Sequence, residues 1–357
     1  MRVLICGATG SIGQQTLKTL KLLKYQLVGI SFYQDYKQAQ KISAPYFFSP
    51  IDIEHSNVNS YDELIKKTKP DLIVNAIVGI AGLEVTLLAI KHKVDIALAN
   101  KESLLVAGQF VMKLAKTNKV TIYPIDSEHS GVYAILQQMK ARTYKHIYIT
   151  ASGGPFYNYN KRQLAKVTYQ QAIKHPKWSM GEKISIDSAT LMNKCFEIVE
   201  AYWYFNTAKI APLYHPQVLV HAVVEYKDRS YAFISPPSMM ICIRLALTKF
   251  INASKYVKPL QKKQYQLEKI DPKTHWPIAL AYDILKNPNT SLPVIINAAN
   301  EQAIALCKQG IISFCEIIEI IKDAIKHFDI IKVNNIEQIY QIDKTVKEHI
   351  KRQWHRQ

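Results

Sequence analysis

Two acidic side chains separated by a single residue follow an apolar stretch at positions 120–124. They are Asp126 and Glu128. On an extended segment alternate side chains point the same way, so both carboxylates could face one cation. Mg²⁺ and Mn²⁺ prefer such oxygen ligands. The pair therefore predicts a metal site, and the alternative is a solvated turn, which is the commoner role of an Asp-x-Glu at a strand end.

A second polar cluster occupies positions 187–197. Asp187 or Ser188 has the residue type of a helix N-cap, and we expect the helix to continue through residue 205. Glu197 lies one turn beyond two other polar residues, on the same helix face, and could add a third carboxylate to the metal site. The groups that could hold a phosphate near this helix start are Ser188, Asn193 and Lys194. The alternative is an ordinary cap beside a surface ion pair.

Two loops containing glycine could complete a substrate site. Residues 150–156 present the hydroxyl of Ser152 among bare backbone amides, which is typical of an anion-binding nest. Residues 175–181 expose His175, Trp178 and Met180 in a segment without regular periodicity. Such a loop could close over a substrate as a lid. The tryptophan could equally anchor the loop to the core.

A glycine-rich turn at positions 7–13 lies between the first predicted strand and the first predicted helix. Its spacing is GxxGxxG, and in this context it indicates a dinucleotide pyrophosphate at a helix N-terminus. The alternative is a tight turn without a ligand. No carboxylate follows the second strand until Asp35, which favours NADPH over NADH because an acid at that strand end would repel a 2′-phosphate. Asp35 itself leaves the choice between the two cofactors open. Asn100, Lys101 and Glu102 follow the fifth strand, where they indicate either ligand-binding residues or a helix start with a solvated lysine.

These residues must be positioned by strands and helices that alternate along the first 125 residues. Strands are predicted at 2–6, 26–31, 72–76, 94–97 and 120–124, with helices near 11–23, 34–42, 61–67, 83–91 and 102–117. This alternation predicts a Rossmann-like, doubly wound parallel sheet. Further strands are predicted at 146–150, 218–226 and 231–234 in an α+β domain. Helical spacing near 278–286, 296–308, 314–327 and 336–351 predicts a C-terminal helical bundle.

Composition narrows the class of protein. The net charge of +18 raises the possibility of a nucleic-acid-binding protein. The lysines, however, are spread along the chain without a recognition motif, so a basic surface that attracts phosphorylated small molecules is the preferred interpretation. The five cysteines show no metal or disulfide spacing. No targeting or membrane segment is evident, and we expect a cytoplasmic enzyme without nucleic-acid or membrane partners.

The chain resembles the 1-deoxy-D-xylulose 5-phosphate reductoisomerase family. The resemblance is carried by GATGSIG, ANKES, DSEH, ASGGPF, HPKWSMG, DSATLMNKCFE, HPQ and the later NAANE, and it covers essentially the whole chain. It implies an NADPH-dependent and Mg²⁺- or Mn²⁺-dependent enzyme that rearranges and reduces 1-deoxy-D-xylulose 5-phosphate to 2-C-methyl-D-erythritol 4-phosphate. The resemblance also implies a homodimer.

The resemblance also implies roles for individual residues. The cofactor-binding residues would be Thr9, Gly10, Ser11, Ile12, Asn100, Glu102 and Gly181, with Met180 near the nicotinamide. The metal ligands would be Asp126, Glu128 and Glu197, and the catalytic residues would be these three together with Lys101 and His175. The substrate contacts would be Lys101, Ser127, Glu128, Ser152, His175, Trp178, Ser188, Asn193, Lys194 and Glu197. The implied domains are 1–125 for NADPH, 126–250 for catalysis, a linker at 251–277 and a helical domain at 278–357.

Some features depart from the family or stay open. Tyr33, Gln34 and Asp35 replace the usual Gly-Lys-Asn, so the contacts to the 2′-phosphate are not implied. The carbon skeleton could rearrange by retro-aldol and aldol steps or by the shift of a carbon group. Another three-domain NADP oxidoreductase, such as a homoserine or semialdehyde dehydrogenase, is the rival enzyme class, and it would need no carboxylate triad.

Overall fold

The structure is a computed structural model, and it describes residues 1–174, 181–234, 238–251 and 265–354. The chain divides into two compact units. The first comprises Met1–Ser103, Val111–Ile149 and Leu219–Gln264, and the second comprises Leu104–Phe110, Thr150–Val218 and Tyr265–Gln357. The division into four consecutive domains stays a prediction.

The first unit is built on a six-stranded parallel sheet. The strands are β1 (Arg2–Cys6), β2 (Gln26–Ser31), β3 (Phe47–Phe48), β4 (Leu72–Asn75), β5 (Asp95–Leu98) and β6 (Ile122–Pro124). Their order in the sheet is β3-β2-β1-β4-β5-β6. This is the strand order of a Rossmann fold, in which ligands bind beyond the carboxyl ends of the strands where the order reverses, between β1 and β4. The connecting helices are α1 (Ser11–Leu23), α2 (Tyr36–Gln40), α3 (Tyr61–Thr68), α4 (Gly82–Lys91) and α5 (Lys101–Asn118).

The central strands of this sheet are covered on both faces. Residues 3–6 of β1 and 72–75 of β4 are all buried, as expected for a parallel sheet that carries helices on each side. That continuous burial explains why the central strands read as unbroken apolar runs in the sequence. The predicted bounds of β1, β2 and α1 agree with the structure, and the two-residue edge strand β3 was missed.

The first unit also contains antiparallel strands and two further helices. Strand β9 (Ala222–Tyr226) pairs with β10 (Tyr231–Ile234) and with β7 (Tyr144–Ala151). Helix α6 (Ser127–Gln138) contacts β9 and β10, and α11 (Met239–Leu247) contacts α1 and α6. The α+β character predicted for this part of the chain is confirmed.

The second unit is mostly helical. Its elements are α7 (Lys161–Leu164), α8 (Tyr169–Ala172), α9 (Glu182–Thr190), α10 (Met192–Phe205), β8 (Ile210–Tyr214), β11 (Glu268–Lys269), α12 (Trp276–Lys286), α13 (Leu292–Lys308), α14 (Glu316–His327) and α15 (Ile336–Trp354). Helix α13 packs against both α14 and α15. On α14 the buried residues Ile317, Ile320, Ile321 and Ala324 form one stripe at helical spacing. The C-terminal helical bundle is thus confirmed, whereas the strands β8 and β11 were not predicted. In the described part of the chain, no helix has the length and apolar character of a membrane span.

Candidate active site

The glycine-rich turn brings the end of β1 into close contact with the start of α1. Gly7 has a φ of 85°, and Gly10 is the N-cap of α1. A Cβ at Gly13 would lie 2.3 Å from the Gly7 carbonyl oxygen, so only glycine allows this approach. No side chain caps α1, which leaves its positive N-terminal end suited to an anion. The pyrophosphate was predicted at the glycine-rich turn and the start of α1, which contain Thr9, Gly10, Ser11 and Ile12.

Replacing Gly13 by alanine should reduce the free energy of unfolding by about 1–3 kcal/mol because the added methyl group overpacks the turn. It should also weaken NADPH binding. Urea unfolding and a cofactor titration measure both effects. The matched control is Gly10→Ala, because a Cβ at Gly10 would meet its nearest neighbour only at 3.5 Å. Equal unfolding free energies for the two variants would contradict this account of the turn.

Asn100 joins the start of α5 to the loop that follows β4. Its side-chain amide donates to the carbonyl oxygens of Ile77 and Gly79, both at 2.7 Å, and to Glu102 Oε2 at 3.1 Å. Its Oδ1 accepts from the Ser103 backbone N–H at 3.0 Å and caps α5. Asn100 and Glu102 are buried. The helix start was predicted correctly, at the carboxyl edge of the sheet where cofactors bind.

Lys101 is buried rather than solvated, which corrects one of the alternatives drawn from the sequence. Only 6% of the residue is exposed, and its Nζ lies 2.9 Å from Asp126 Oδ2. The Nδ1 atom of His129, which is fully buried, lies 3.0 Å from Asp126 Oδ1. Burial opposes ionisation of Asp126, but the neighbouring Lys101 and His129 outweigh it and hold the pKa of this carboxyl group well below its usual value. Asp126 is therefore a carboxylate at neutral pH, as a metal ligand must be.

Asp126 and Glu128 lie at a helix start rather than on an extended segment. Asp126 is the N-cap of α6, and its Oδ1 accepts from the Glu128 backbone N–H at 3.2 Å. Ser127 Oγ donates to Glu128 Oε2 at 2.5 Å. The extended geometry assumed from the sequence was wrong, because an aspartate before a glutamate in a first helical turn is a capping pattern.

His221 was not predicted from the sequence. It lies just before β9, is 2% exposed, and places Nδ1 3.9 Å from Glu128 Oε1. A single histidine within the apolar run 218–226 gives no signal of its own. In the first unit, one buried lysine and two buried histidines thus lie close to the two carboxylates.

The second polar cluster forms two helices instead of one. Helix α9 ends at Thr190, Leu191 adopts a left-handed conformation with a φ of 63°, and α10 begins at Met192. Asp187 and Ser188 therefore lie in the last turns of α9 and are not N-caps, which corrects the prediction. A leucine in a left-handed conformation is rare, so the sequence gives no sign of this break.

The loop after β7 approaches the end of α9 very closely. Gly153 and Gly154 have φ values of 82° and 69°. A Cβ at Gly154 would lie 3.0 Å from the Ser188 carbonyl oxygen, and the Gly154 backbone N–H donates to Ser152 Oγ at 3.1 Å. Lys194 Nζ donates to the carbonyl oxygen of Thr150. The structure therefore brings Ser152 and Ser188 to one corner, beside the first turn of α10.

Glu197 is held on α10 by two of the residues predicted to bind phosphate. Its Oε1 accepts from Asn193 Nδ2 at 2.5 Å, and Oε2 pairs with Lys194 Nζ. Glu197 is 1% exposed and Lys194 is 4% exposed. The alternative of a surface ion pair is therefore wrong. A buried carboxylate and ammonium together suit a site that receives a metal ion and an anion.

The predicted lid residues lie outside the described part of the chain. These residues are His175, Trp178 and Met180. Gly181, which was predicted to contact the cofactor, lies within the described residues and is the exposed N-cap of α9.

Comparison with known proteins gives a consistent result over the chain length. Residues 51–108 match the family model described as 1-deoxy-D-xylulose 5-phosphate reductoisomerase. Residues 122–205 and 234–349 match models of the C-terminal domains of the same enzyme.

Similar relatives and solved structures carry the same description. The 1-deoxy-D-xylulose 5-phosphate reductoisomerase of Malacoplasma penetrans is 43% identical, with 98% of this chain and 94% of the relative covered. That of Mycoplasmoides gallisepticum is 41% identical, with 97% of each covered. A crystal structure of DOX-P reductoisomerase with NADPH, fosmidomycin and magnesium has a TM-score of 0.88 at 29% identity, covering 99% of this chain and 98% of that one. The Zymomonas mobilis enzyme with NADPH has a TM-score of 0.82 at 30% identity and the same coverage.

Proposed function

Because the chain belongs to the 1-deoxy-D-xylulose 5-phosphate reductoisomerase family, we propose that it converts 1-deoxy-D-xylulose 5-phosphate to 2-C-methyl-D-erythritol 4-phosphate. The reaction uses NADPH and a divalent metal ion and supplies a precursor for isoprenoid synthesis. The observation that carries this proposal is the near-full-length match to reductoisomerases. The residues of the candidate site also fit the chemistry of the cofactor, the metal ion and the substrate phosphate.

The glycine turn of the first unit fits NADPH. The close approach at Gly13 and the uncapped start of α1 suit a pyrophosphate. Asn100 fixes the loop after β4, at the switch point of the sheet, by its bonds to Ile77 and Gly79. The residues proposed to line the cofactor are Thr9, Gly10, Ser11, Ile12, Asn100, Glu102 and Gly181.

We assign the metal ion to three carboxylates, those of Asp126, Glu128 and Glu197. Carboxylate oxygens are the ligands that Mg²⁺ and Mn²⁺ prefer. Each carboxylate is oriented inside its own unit, by Lys101 and His129, by Ser127, or by Asn193 and Lys194. When bound, the metal supplies Lewis-acid stabilisation of the substrate oxygens while NADPH supplies the hydride. Mg²⁺ and Mn²⁺ are both proposed as activating ions.

The substrate phosphate is assigned to the corner between the loop after β7 and the start of α10. Lys194 supplies a buried positive charge, and Ser152, Ser188 and Asn193 supply hydrogen-bonding groups. Lys101 and Ser127 would contact the substrate near the metal, where Lys101 holds a positive charge beside the developing negative charge. His175 and Trp178 are proposed to close over the substrate, and binding energy from the phosphate would support that closure.

A direct assay tests the proposed function. Purified protein mixed with NADPH, Mn²⁺ and 1-deoxy-D-xylulose 5-phosphate should consume the reduced cofactor, followed as a loss of its absorbance. A chelator should abolish the loss, and added Mn²⁺ should restore it, because the metal stabilises charge during the rearrangement. Fosmidomycin should inhibit the reaction, as expected from the related complex. Cofactor consumption that persists in the chelator would favour a metal-independent dehydrogenase.

We propose a cytoplasmic homodimer without nucleic-acid or membrane partners. Strand β10 lies at the end of its sheet and exposes Tyr231 and Phe233, which share one face at alternate positions. Light scattering during size-exclusion chromatography measures the mass of the assembly, and a mass of one chain would contradict the dimer.

A further inference from the structure

A buried carboxylate on α9 has no role in the proposed reaction. Asp187 is 2% exposed and comes directly before Ser188. Its Oδ2 lies 2.9 Å from Lys183 Nζ, and its Oδ1 accepts from Asn300 Nδ2 at 2.7 Å. Both oxygens are engaged inside the protein, so this side chain is suited to holding structure in place rather than to binding substrate.

The partner from α13 is unusual for its position. Asn300 is fully buried on a helix whose other buried residues include Ile296, Ala299 and Ile304. A buried amide costs free energy unless it is hydrogen-bonded. An apolar residue would fill this position at lower cost, so the value of asparagine lies in its bond to Asp187. That bond links the C-terminal bundle to α9.

Asp187 lies in the last turns of α9, which border the proposed phosphate site. At the end of this helix Thr190 Oγ1 donates to the backbone carbonyl oxygens of Ile186 and Asp187 at 3.1 and 3.2 Å, and the left-handed Leu191 precedes α10. The loop at Gly154 packs tightly against the backbone of Ser188 and Ala189, where an added Cβ would lie 3.0 Å from its nearest neighbours. A small rotation of α9 would therefore move Ser188 relative to the loop and to the first turn of α10.

We propose that Asn300 and Lys183 are positioning residues that hold Asp187, and thereby set the geometry of the phosphate corner from the C-terminal bundle. The proposal rests on the proposed function, since it assigns this corner to the substrate phosphate. Asn300 on α13 then affects the affinity for the substrate phosphate, although α13 contributes no proposed contact to that phosphate. Loss of the bond then weakens phosphate binding and leaves the cofactor site in the first unit unchanged.

The test compares two substitutions on the same helix. Asn300→Asp places a carboxylate against Asp187. The matched control is Asn297→Asp, because Asn297 is also fully buried and donates to Glu301 Oε1 at 2.9 Å, and Glu301 in turn pairs with Lys347 at 2.6 Å. Both variants place a new carboxylate on α13 against an existing one. In Asn300→Asp the existing carboxylate is Asp187 on α9, whereas in Asn297→Asp it is Glu301 on α13 itself.

We expect Asn300→Asp to raise the KM for 1-deoxy-D-xylulose 5-phosphate and the Kd for inorganic phosphate by about ten- to a hundredfold, as a misplaced binding group does. The KM for NADPH should stay the same. The exchange variant Asn300→Asp with Asp187→Asn restores a donor and an acceptor and should recover most of the affinity. Asn297→Asp should lower the Tm similarly without changing either constant.

Two outcomes would overturn the proposal. One is an Asn300→Asp variant with a lower Tm but unchanged KM and phosphate Kd, which would make the bond purely structural. The other is an equal change of both constants in Asn297→Asp. Failure of the proposed function is a separate result, since it would appear as a wild-type protein that binds inorganic phosphate but consumes no NADPH with this substrate.

Discussion

Glu197→Gln should lower turnover by about a thousandfold, the upper range for removing one group that stabilises developing charge. Glutamine keeps the shape of the side chain, and its single amide oxygen can still accept from Asn193 or from Lys194, so the fold should persist. It removes the negative charge needed for a strong metal ligand. NADPH binding should change little, because the glycine turn lies in the other unit. Steady-state kinetics over a range of Mn²⁺ concentrations, with a cofactor titration, measures both expectations.

Glu200→Gln is the matched control for this variant. Glu200 lies on the same helix, three residues further along, and is equally buried at 1% exposure. It has no assigned role in metal binding, so its amide variant should retain turnover within about tenfold, even though the loss of a buried charge can affect stability. Near-normal turnover of Glu197→Gln at saturating Mn²⁺ would remove Glu197 from the metal site. Loss of turnover only in Glu200→Gln would assign the ligand to Glu200.

Lys101→Met should raise the affinity for Mn²⁺ but lower turnover. The ammonium group of Lys101 lies 2.9 Å from Asp126 Oδ2 in a nearly buried pair, with side-chain exposures of 7% and 10%. A cation at this position repels a divalent ion that binds the same carboxylate, so its removal should raise Mn²⁺ affinity by at least about tenfold. Turnover should nevertheless fall by about a hundred- to a thousandfold, because the variant loses a positive charge beside the reacting oxygens.

The stability of the same variant provides a further readout. Removing one partner of a buried ion pair costs about 3–5 kcal/mol, so the metal-free variant should unfold more easily than the wild type. Mn²⁺ should recover part of this loss, since a ligand that binds only the folded state stabilises it. Calorimetric Mn²⁺ titration, kinetics and thermal unfolding measure the three effects. Lys113→Met, at an exposed position of the same helix, is the control. Unchanged metal affinity and turnover in Lys101→Met would reduce Lys101 to a structural ion pair.

Local patterns in the sequence were sufficient for the framework of the fold. Long elements with clear periodicity, such as β1, β2 and α1, were predicted at their observed bounds. The strands β3 and β11 have two residues each, too few for a pattern to form. Strand β8 contains Pro212, which weakens a strand assignment because proline cannot donate to a ladder.

The local geometry of the candidate site was predicted less well than the framework of the fold. The helix start at Asp126 and the break at Leu191 were both missed. A break of this kind depends on packing, here the close approach of Gly154 to α9, and no local pattern encodes it. The burial of Lys101 was also unpredictable, because a buried lysine requires a partner, and Asp126 lies 25 positions away in the sequence.

We propose that Asp126, Glu128 and Glu197 together bind one divalent ion. Crystals of the protein grown with NADPH and Mn²⁺ test it directly through the anomalous scattering of manganese. We predict one strong anomalous peak per chain, at bonding distance from a carboxylate oxygen of each of the three residues. A peak coordinated by Asp126 and Glu128 but not by Glu197, or a peak away from all three, would show that these residues do not share one ion.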